Sequence, residues 1–288
     1  MKISRILEEK ERTLSFEVFP PKTSARMESV REATEKIGAL HPDFMSVTYG
    51  AGGGTSQYTV DIASNLQERY KTPVLPHLTC VSSDRGHVRK MIELYREKGL
   101  QNIMALRGDI PEGGATHHDY THAIQLIRDI RELHPEICIG AACYPEGHVE
   151  APSREEDLVH LKEKVDAGVD FLTTQLFFDN SVFYHFLYRA RDIGIHVPII
   201  AGIMPITNKV QVKRTIEMSG TVVPERFLAM VDRFGNDPDA MKQAGVIYAS
   251  EQIIDLYAHG IRNIHVYTMN KPEIAAGIQS SLSHIIGK

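Results

Sequence analysis

Charged and flexible residues follow an apolar run near the middle of this sequence. Residues 103–106 are apolar throughout, and Arg107, Gly108 and Asp109 come directly after them. A guanidinium suits phosphate or carboxylate, glycine lets a ligand approach the backbone closely, and a carboxylate can orient or polarise a heterocycle. The alternative is a turn in which Arg107 and Asp109 pair with each other or with neighbours, since turns favour Gly and Asp. A binding site is favoured because other predicted strands also end with polar residues.

Polar side chains recur late in six different predicted strands, at Glu17, Thr48, His77, Asp109, Tyr144 and Gln175. A carboxylate such as Glu17, between Phe16 and Val18, is costly to bury as an anion, so we expect either compensating partners or a shifted pKa. A raised pKa would suit a general acid, whereas a lone Glu on an edge strand would simply face solvent. Gln175 offers an amide donor and an acceptor, the two groups that read the edge of a pterin or similar ring.

The histidine and cysteine residues form no recognisable metal-binding pattern. His77 has no second ligand at metal spacing, and one histidine in a strand is usually a core or rim residue. Cys80, Cys138 and Cys143 form neither a paired framework nor a CxxC motif, so we expect reduced thiols rather than disulfides. We therefore predict no metal site.

Composition excludes several classes of protein. The 288 residues are 42% hydrophobic and 24% charged, with a formal net charge of −5, which is ordinary for a globular protein and gives no electrostatic surface for nucleic acid. No apolar run reaches the roughly 18 residues of a membrane span, and residues 1–10 are too charged for a signal peptide. We expect a cytoplasmic protein that acts on small molecules.

Apolar segments alternate with segments of helical periodicity along the whole chain. The predicted strands are 14–19, 43–49, 73–80, 103–106, 137–144, 171–177, 197–203 and 261–267. Helices are predicted at 24–40, 55–70, 84–99, 120–133, 153–168, 181–193 and 209–218, in most of 224–260, and from 272 onward. Eight strands, each followed by helix, predict a single (β/α)8 barrel domain over residues 1–288, with extra helices before the eighth strand. The competing fold is a doubly wound open sheet, but the count of eight and the polar strand ends favour the barrel.

A glycine-rich segment, residues 50–55, follows the second predicted strand and resembles the start of a dinucleotide-binding fingerprint. It departs from that fingerprint at its last position, and the next strand closes with Thr79, Cys80 and Val81 instead of an acidic residue. We therefore predict a loop over the barrel mouth that is flexible or lies against a ligand, and not a Rossmann fold.

Six strand-end motifs occur in a fixed order between residues 14 and 270. They are residues 15–22, 46–51, 76–80, 105–109, 141–148 and 174–179. Together they resemble the successive strand-end motifs of the methylenetetrahydrofolate reductases, and the chain is similar in length to the short bacterial form. The resemblance implies an FAD-containing barrel that reduces 5,10-methylenetetrahydrofolate to 5-methyltetrahydrofolate, with NADH or NADPH reloading the flavin in a separate half-reaction.

The resemblance also implies roles for individual residues. Glu17 would protonate the folate nitrogen and open the methylene bridge, and Asp109 would lie beside the flavin and the pterin. Gln175 would hydrogen-bond the pterin, and Thr48 would also contact the substrate. Arg107, His148 and Lys164 can meet the FAD diphosphate, and Asp157 can accept from a ribose hydroxyl. The positions implied for FAD are Thr48, Tyr49, His77, Arg107, Gly108, Asp109, Tyr120, Ala142, Tyr144, His148, Asp157 and Lys164.

Two positions depart from the pattern of the well-known bacterial enzymes. Thr215 stands where they carry an aromatic residue, and Lys271 stands where arginine is expected. Both differences concern the nicotinamide half-reaction, so a partner electron-carrier subunit is an alternative donor. We expect a homo-oligomer that binds a folate substrate. Two other functions stay open, namely a flavin-free folate-dependent barrel methyltransferase and a partner-dependent subunit that is inactive alone.

Overall fold

The computed structural model describes residues 1–21, 23–50, 56–111 and 113–288, and only the backbone of residues 214, 217 and 218. Eight strands in these residues pair in parallel in chain order, and the eighth pairs with the first, so the sheet closes into a barrel. They are β1 (Thr13–Val18), β2 (Met45–Val47), β3 (Val74–Thr79), β4 (Asn102–Leu106), β5 (Cys138–Cys143), β6 (Phe171–Thr174), β7 (Ile199–Ile203) and β8 (Asn263–Tyr267). The predicted (β/α)8 barrel is confirmed.

Helices alternate with the strands, and those after α1 cover the outside of the barrel and bury its outward-facing aliphatic residues. They are α1 (Ile3–Glu9), α2 (Met27–Gly38), α3 (Ser56–Tyr70), α4 (Arg85–Glu97), α5 (Ala123–Leu133), α6 (Arg154–Asp166), α7 (Asn180–Asp192), α8 (Lys209–Ser219), α9 (Glu225–Phe234), α10 (Pro238–Ala258), α11 (Pro272–Ser281) and α12 (Ser283–Ile286). The extra helices predicted before the eighth strand are α9 and α10. No helix in the described ranges has both the length and the apolar composition to cross a bilayer.

Side chains at the predicted helix starts satisfy free amides of the first turn. Asp84 accepts a hydrogen bond from the amide of His87 and Ser153 accepts one from Glu156, which fixes where α4 and α6 begin. The prediction of a helix from Tyr120 was three residues early, because α5 starts at Ala123. The three cysteines are free thiols, and all three are buried.

The amino-terminal end of the barrel is closed by α1, which the sequence did not predict. Ile3, Ile6 and Leu7 of this helix are buried against an apolar layer inside the barrel formed by Phe44, Leu75, Met104, Cys138, Phe171 and Ile200. The amide of Ile3 also donates to Oδ1 of Asn102 at 2.8 Å. The helix was missed because its apolar side chains are few and stand among charged ones.

The middle of the barrel interior is polar, although such barrels are usually filled with branched aliphatic side chains. Two residues beyond the apolar layer, along several strands, come buried polar side chains that share the inward face: Ser15, Ser46, His77, Thr173 and His265. The ring of His265 stacks on Phe44 with the centroids 5.7 Å apart. A polar layer therefore lies between the closed end of the barrel and the carboxyl ends of its strands.

Candidate active site

The barrel brings the predicted site residues to one end. Five of the six lie late in a strand or directly after it: Glu17 in β1, His77 in β3, Thr48 after β2, Tyr144 after β5 and Gln175 after β6. Asp109 lies three residues beyond β4 and is exposed. The carboxyl ends of parallel strands in a closed barrel surround one mouth, so these side chains share a single site.

Glu17 is held by a chain of hydrogen bonds that runs into the barrel. The hydroxyl of Ser46 lies 3.2 Å from Oε2 of Glu17 and 3.0 Å from Nε2 of His265. On the other side of the ring, Nδ1 of His265 lies 2.7 Å from the hydroxyl of Ser15, which donates to the carbonyl of Ile264 at 3.0 Å. Three strands, β1, β2 and β8, therefore position one carboxylate.

The protons of this chain can be counted. Ser15 lies within hydrogen-bond distance of both the carbonyl of Ile264 and Nδ1 of His265, and it can donate its one hydroxyl proton to either. An ionised Glu17 can only accept, so Ser46 donates to Glu17 and accepts from Nε2 of His265. Nε2 of His265 therefore carries a proton and lies 3.9 Å from the carboxylate.

The expectation of a raised pKa for Glu17 was wrong. Burial raises the pKa, but the interactions with His265, His77 and Ser46 lower it by more, so the pKa lies below the usual value of a glutamate. The carboxylate is therefore ionised at neutral pH, with its side chain only 19% exposed. The compensation that a buried anion requires comes from partners that the sequence did not bring together.

His77 also lies close to Glu17, with Nε2 3.6 Å from Oε2. Burial lowers the pKa of His77 to about 4, against the opposing effect of the Glu17 charge. The ring is therefore neutral at pH 7 and can serve either as a hydrogen-bond donor or as an acceptor. Its backbone carbonyl accepts from the hydroxyl of Tyr95 at 2.8 Å, which ties the strand to α4.

The segment after β4 has features both of a binding site and of a turn in which Arg107 pairs with a neighbour. Arg107 pairs through both terminal nitrogens with the carboxylate of Glu150, at 2.6 and 2.7 Å, so it does find a neighbour. Gly108 has φ +87°, and a Cβ there would lie 2.9 Å from Val81 and 3.0 Å from Thr79. Only glycine fits this backbone, which runs close against the end of β3.

The loop between β5 and α6 carries aromatic and cationic side chains. The rings of Tyr144 and His148 meet edge to face, with centroids 4.6 Å apart. Lys164 of α6 reaches back to donate to the carbonyl of Ala142 at 2.8 Å, and burial lowers its pKa. Asp157, one α6 residue that the resemblance implies for FAD, lies near enough to Lys164 to raise that pKa in part.

The side chain of Tyr120 is buried against other protein groups and does not present its ring to a ligand. It is 3% exposed, and its hydroxyl donates to Asp129 at 2.6 Å. The guanidinium of Arg85 lies 5.2 Å from the ring centroid and pairs with Asp129 at 2.8 Å. Both the hydroxyl and one face of the ring are therefore committed to protein groups, so Tyr120 can offer a ligand mainly its backbone.

The remaining predicted residues lie on the rim of the mouth. Gln175 accepts from the amide of Leu176 at 2.9 Å through Oε1, which leaves its amide nitrogen directed elsewhere. Tyr49 is buried and its hydroxyl lies 3.3 Å from Nε2 of His87. The carbonyl of Thr48 accepts from the hydroxyl of Thr59 at 2.9 Å. Residues 51–55 of the glycine-rich segment lie outside the described residues.

Comparison with known proteins gives this site its context. The sequence model of the family "Methylenetetrahydrofolate reductase" matches residues 2–283. The chain belongs to the methylenetetrahydrofolate reductase family. A relative named 5,10-methylenetetrahydrofolate reductase, from Pectobacterium carotovorum, is 36% identical over 269 residues, which cover 93% of this chain and 89% of the relative.

A plant member of the methylenetetrahydrofolate reductase family is equally similar. "Methylenetetrahydrofolate reductase (NADH) 1" of Arabidopsis thaliana is 36% identical over 298 residues, which cover 99% of this chain but 50% of the plant protein. Among solved structures, an uncharacterized protein from Clostridium thermocellum that binds two copies of 5-methyl-5,6,7,8-tetrahydrofolic acid superimposes with a TM-score of 0.65 at 15% identity. That match covers 100% of this chain and 99% of the other, and it supports the fold alone.

The two departures from the methylenetetrahydrofolate reductase pattern have defined surroundings. Thr215 of α8 is 7% exposed, and its carbonyl accepts from the hydroxyl of Ser219 at 2.7 Å. Lys271, just before α11, donates to the hydroxyl of Thr207 at 2.7 Å. Both residues lie in the segments that follow β7 and β8, next to the mouth.

Three residues of this site were missed from the sequence, namely Ser46, Glu150 and His265. A usable signal existed for two of them, because Ser46 lies two residues before Thr48 and His265 lies two before Tyr267, on the inward face of their strands. Glu150 carries no such signal, since it lies in a loop and reaches Arg107 only through the fold.

Proposed function

We propose that this chain reduces 5,10-methylenetetrahydrofolate to 5-methyltetrahydrofolate, with bound FAD as the hydride carrier. The observation that carries the proposal is the Glu17 carboxylate, which lies at the barrel mouth of a methylenetetrahydrofolate reductase family member and is connected through Ser46 to Nε2 of His265. Reduction of the methylene bridge requires one proton and one hydride. The polypeptide can supply the proton.

The described residues fit a flavin at the mouth. Two buried hydroxyls, Thr79 Oγ1 and Thr173 Oγ1, have no hydrogen-bond partner within the described ranges, and both belong to inward-facing positions near the strand ends. Buried polar groups are nearly always paired in complete structures, so a ligand with polar atoms suits this place. When bound, FAD supplies hydride transfer to the folate.

Cationic and aromatic groups lie where the rest of the cofactor would be held. Arg107 lies directly after β4 and Lys164 lies on α6, and His148 lies between them in sequence on the β5–α6 loop. Phosphate oxygens are suited to such donors. We assign these residues, with Tyr144 and the backbone of Tyr120, to the FAD site.

The proton that opens the methylene bridge comes from Glu17 in this proposal. Glu17 is ionised, so it must first be protonated from within the chain. If His265 carries a proton on each ring nitrogen, Nε2 can give one to Ser46 while Ser46 gives its own to Glu17, so that the carboxyl becomes neutral and the ring becomes a neutral imidazole. The net charge of the group does not change, which keeps the cost of this shift low inside the barrel.

Two further side chains orient the folate. The amide nitrogen of Gln175 is free to donate once Oε1 is held by Leu176, and it can read an acceptor on the pterin edge. Asp109, exposed at the end of the β4 segment, can accept from the pterin amino group. Thr48 completes the substrate side. This chain then presents an acid below the bridge and hydrogen-bonding groups beside the ring.

The electron donor is proposed to be NADH or NADPH. The name of the Arabidopsis relative refers to NADH, and that protein is 36% identical over almost all of this chain. Thr215 and Lys271 distinguish this chain from the expected pattern at the nicotinamide side, so a reduced partner protein is the second candidate donor. We also propose that residues 1–288 form a single domain and that the protein acts in the cytoplasm as a homo-oligomer.

The test begins with the absorption spectrum of the purified full chain. A flavin spectrum, FAD released on heating, and bleaching of that spectrum by NADH or NADPH followed by reoxidation with methylenetetrahydrofolate are the expected results. A folded chain without a chromophore that transfers a methyl group from methyltetrahydrofolate would establish the flavin-free methyltransferase instead. Bleaching by methyltetrahydrofolate alone, with no response to either nicotinamide, would assign the donor to a partner protein.

A further inference from the structure

Glu150 occupies the part of Arg107 that an incoming phosphate would be expected to use. The two carboxylate oxygens of Glu150 take one proton each from the two terminal nitrogens, at 2.6 and 2.7 Å, and Nε donates to the carbonyl of Gly108 at 3.1 Å. Three of the five guanidinium protons are thereby used, and two remain for a ligand. The pair is only partly shielded from water, since Glu150 is 50% exposed and Arg107 20%.

Hydrogen bonds within the β5–α6 loop fix the position of Glu150. Its amide donates to Nδ1 of His148 at 3.1 Å, and the amide of Ala151 donates to the carbonyl of His148 at 2.9 Å. His148 is itself fixed edge to face against Tyr144. The β5–α6 loop therefore carries a carboxylate across to the end of β4 and holds it there, so the pairing with Arg107 is not a chance meeting of two long side chains.

The second cation of the assigned cofactor site has an acidic neighbour as well. The charge of Asp157, on the same helix, acts to raise the pKa of Lys164, and Nζ of Lys164 donates to a backbone carbonyl. Arg107 and Lys164 carry two positive charges, and Glu150 and Asp157 carry two negative ones. These four side chains together carry no net positive charge that could balance a bound anion.

We propose that Glu150 is a specificity residue that makes the Arg107 site accept one singly charged phosphate of the diphosphate in a dinucleotide and disfavour a terminal phosphate. This inference rests on the proposed function, because it requires that FAD be the ligand at Arg107. Each phosphate of FAD carries one negative charge, whereas the terminal phosphate of FMN carries about 1.5 to 2 at pH 7. A fixed carboxylate beside the binding cation repels the second more strongly.

The experiment compares three flavins on three forms of the full chain freed of bound flavin. Riboflavin has no phosphate, FMN has a terminal phosphate and FAD has a diphosphate, and flavin fluorescence reports the Kd of each. The variants are Glu150→Gln and, as a matched control, Glu155→Gln, which removes the same charge from an exposed ion pair between Glu155 of α6 and Arg189 of α7. All three proteins should fold, because both glutamates are on the surface.

We expect Glu150→Gln to tighten FMN binding roughly 3- to 10-fold and FAD binding about 2-fold, the scale of a partly exposed charge interaction. Riboflavin affinity should not change, Glu155→Gln should behave as wild type, and the gain for FMN should shrink at high salt. An unchanged ratio of FAD to FMN affinity would overturn the inference, as would weaker FAD binding in Glu150→Gln, which would make Glu150 a support for Arg107. If wild type binds no flavin at all, the proposed function fails and the inference falls with it.

Discussion

Replacing Glu17 with glutamine separates the two half-reactions proposed for this chain. Glutamine keeps the shape of the side chain, and its carbonyl oxygen can still accept from the hydroxyl of Ser46, 3.2 Å away in the wild type. It cannot carry the proton that the folate nitrogen needs. Flavin reduction by a nicotinamide requires no protein acid, so only the folate half-reaction should slow.

The expected loss follows from the geometry. A positioned general acid contributes about 10²- to 10⁴-fold to rate, or roughly 3–5 kcal/mol of barrier. Glu17→Gln also removes the negative charge 3.9 Å from His265. The variant therefore loses both the proton carrier and its electrostatic interaction with the rest of the hydrogen-bond chain, which places the effect at the upper end of the range.

Stopped-flow absorbance of the flavin measures both steps on one sample. We expect reduction by NADH to stay within about 3-fold of wild type and reoxidation by methylenetetrahydrofolate to fall by about 10³-fold or more. The control is Glu35→Gln, the same chemical change at a glutamate of nearly equal side-chain exposure, 18% against 19%, which pairs with Arg69 in the helical layer. Both steps should be normal in that variant.

Two results would contradict this reasoning. If both half-reactions slow alike in Glu17→Gln, the residue supports the fold or the flavin and is not the acid. If neither slows, water or another group delivers the proton.

Three further outcomes are expected. Arg107→Ala should weaken FAD binding about 10-fold or more while thermal stability without cofactor changes little, since a strand-end arginine serves the site; unchanged FAD affinity would return Arg107 to a structural ion pair. Asp109→Asn should raise the flavin midpoint potential and slow folate turnover, because a negative charge disfavours the anionic reduced flavin; an unmoved potential would place Asp109 in a plain turn. Acid should destabilise the fold, because His77 binds a proton near pH 6.5 in the unfolded state but only near 4 in the folded state. The free energy of unfolding should therefore fall by about 2 kcal/mol between pH 7 and 5. Urea titrations of His77→Gln should show no such fall.

Much of the architecture could be predicted from local signals. Apolar runs of strand length alternate with helical periodicity, and caps such as Asp84 and Ser153 mark helix starts, because these features depend on neighbours within a few residues. The count of eight strands then limits the fold to very few arrangements. The α1 helix escaped prediction because its stability comes from covering the open end of the barrel, a surface formed by residues distant in sequence.

The order of strands and polar strand ends along the chain was enough to predict which residues lie near the mouth. Glu17, His77 and Gln175 were predicted to share a site because parallel strands bring their carboxyl ends together whatever the details of packing. The structure decided their chemical state. Glu17 was expected to have a raised pKa from its apolar neighbours along β1, yet the pKa is lowered by His265 and Ser46, which approach from β8 and β2.

The charge partner of Arg107 was likewise decided only by tertiary structure. Arg107 and Glu150 are 43 positions apart, and the chain between them forms α5 and β5 before it returns to the mouth. A sequence records which groups can ionise, and the type of each residue fixes the chemistry it can perform. Distances of 3–4 Å between groups from different strands decide which of those groups are charged, because electrostatic interaction and desolvation depend on position in space and not on order along the chain.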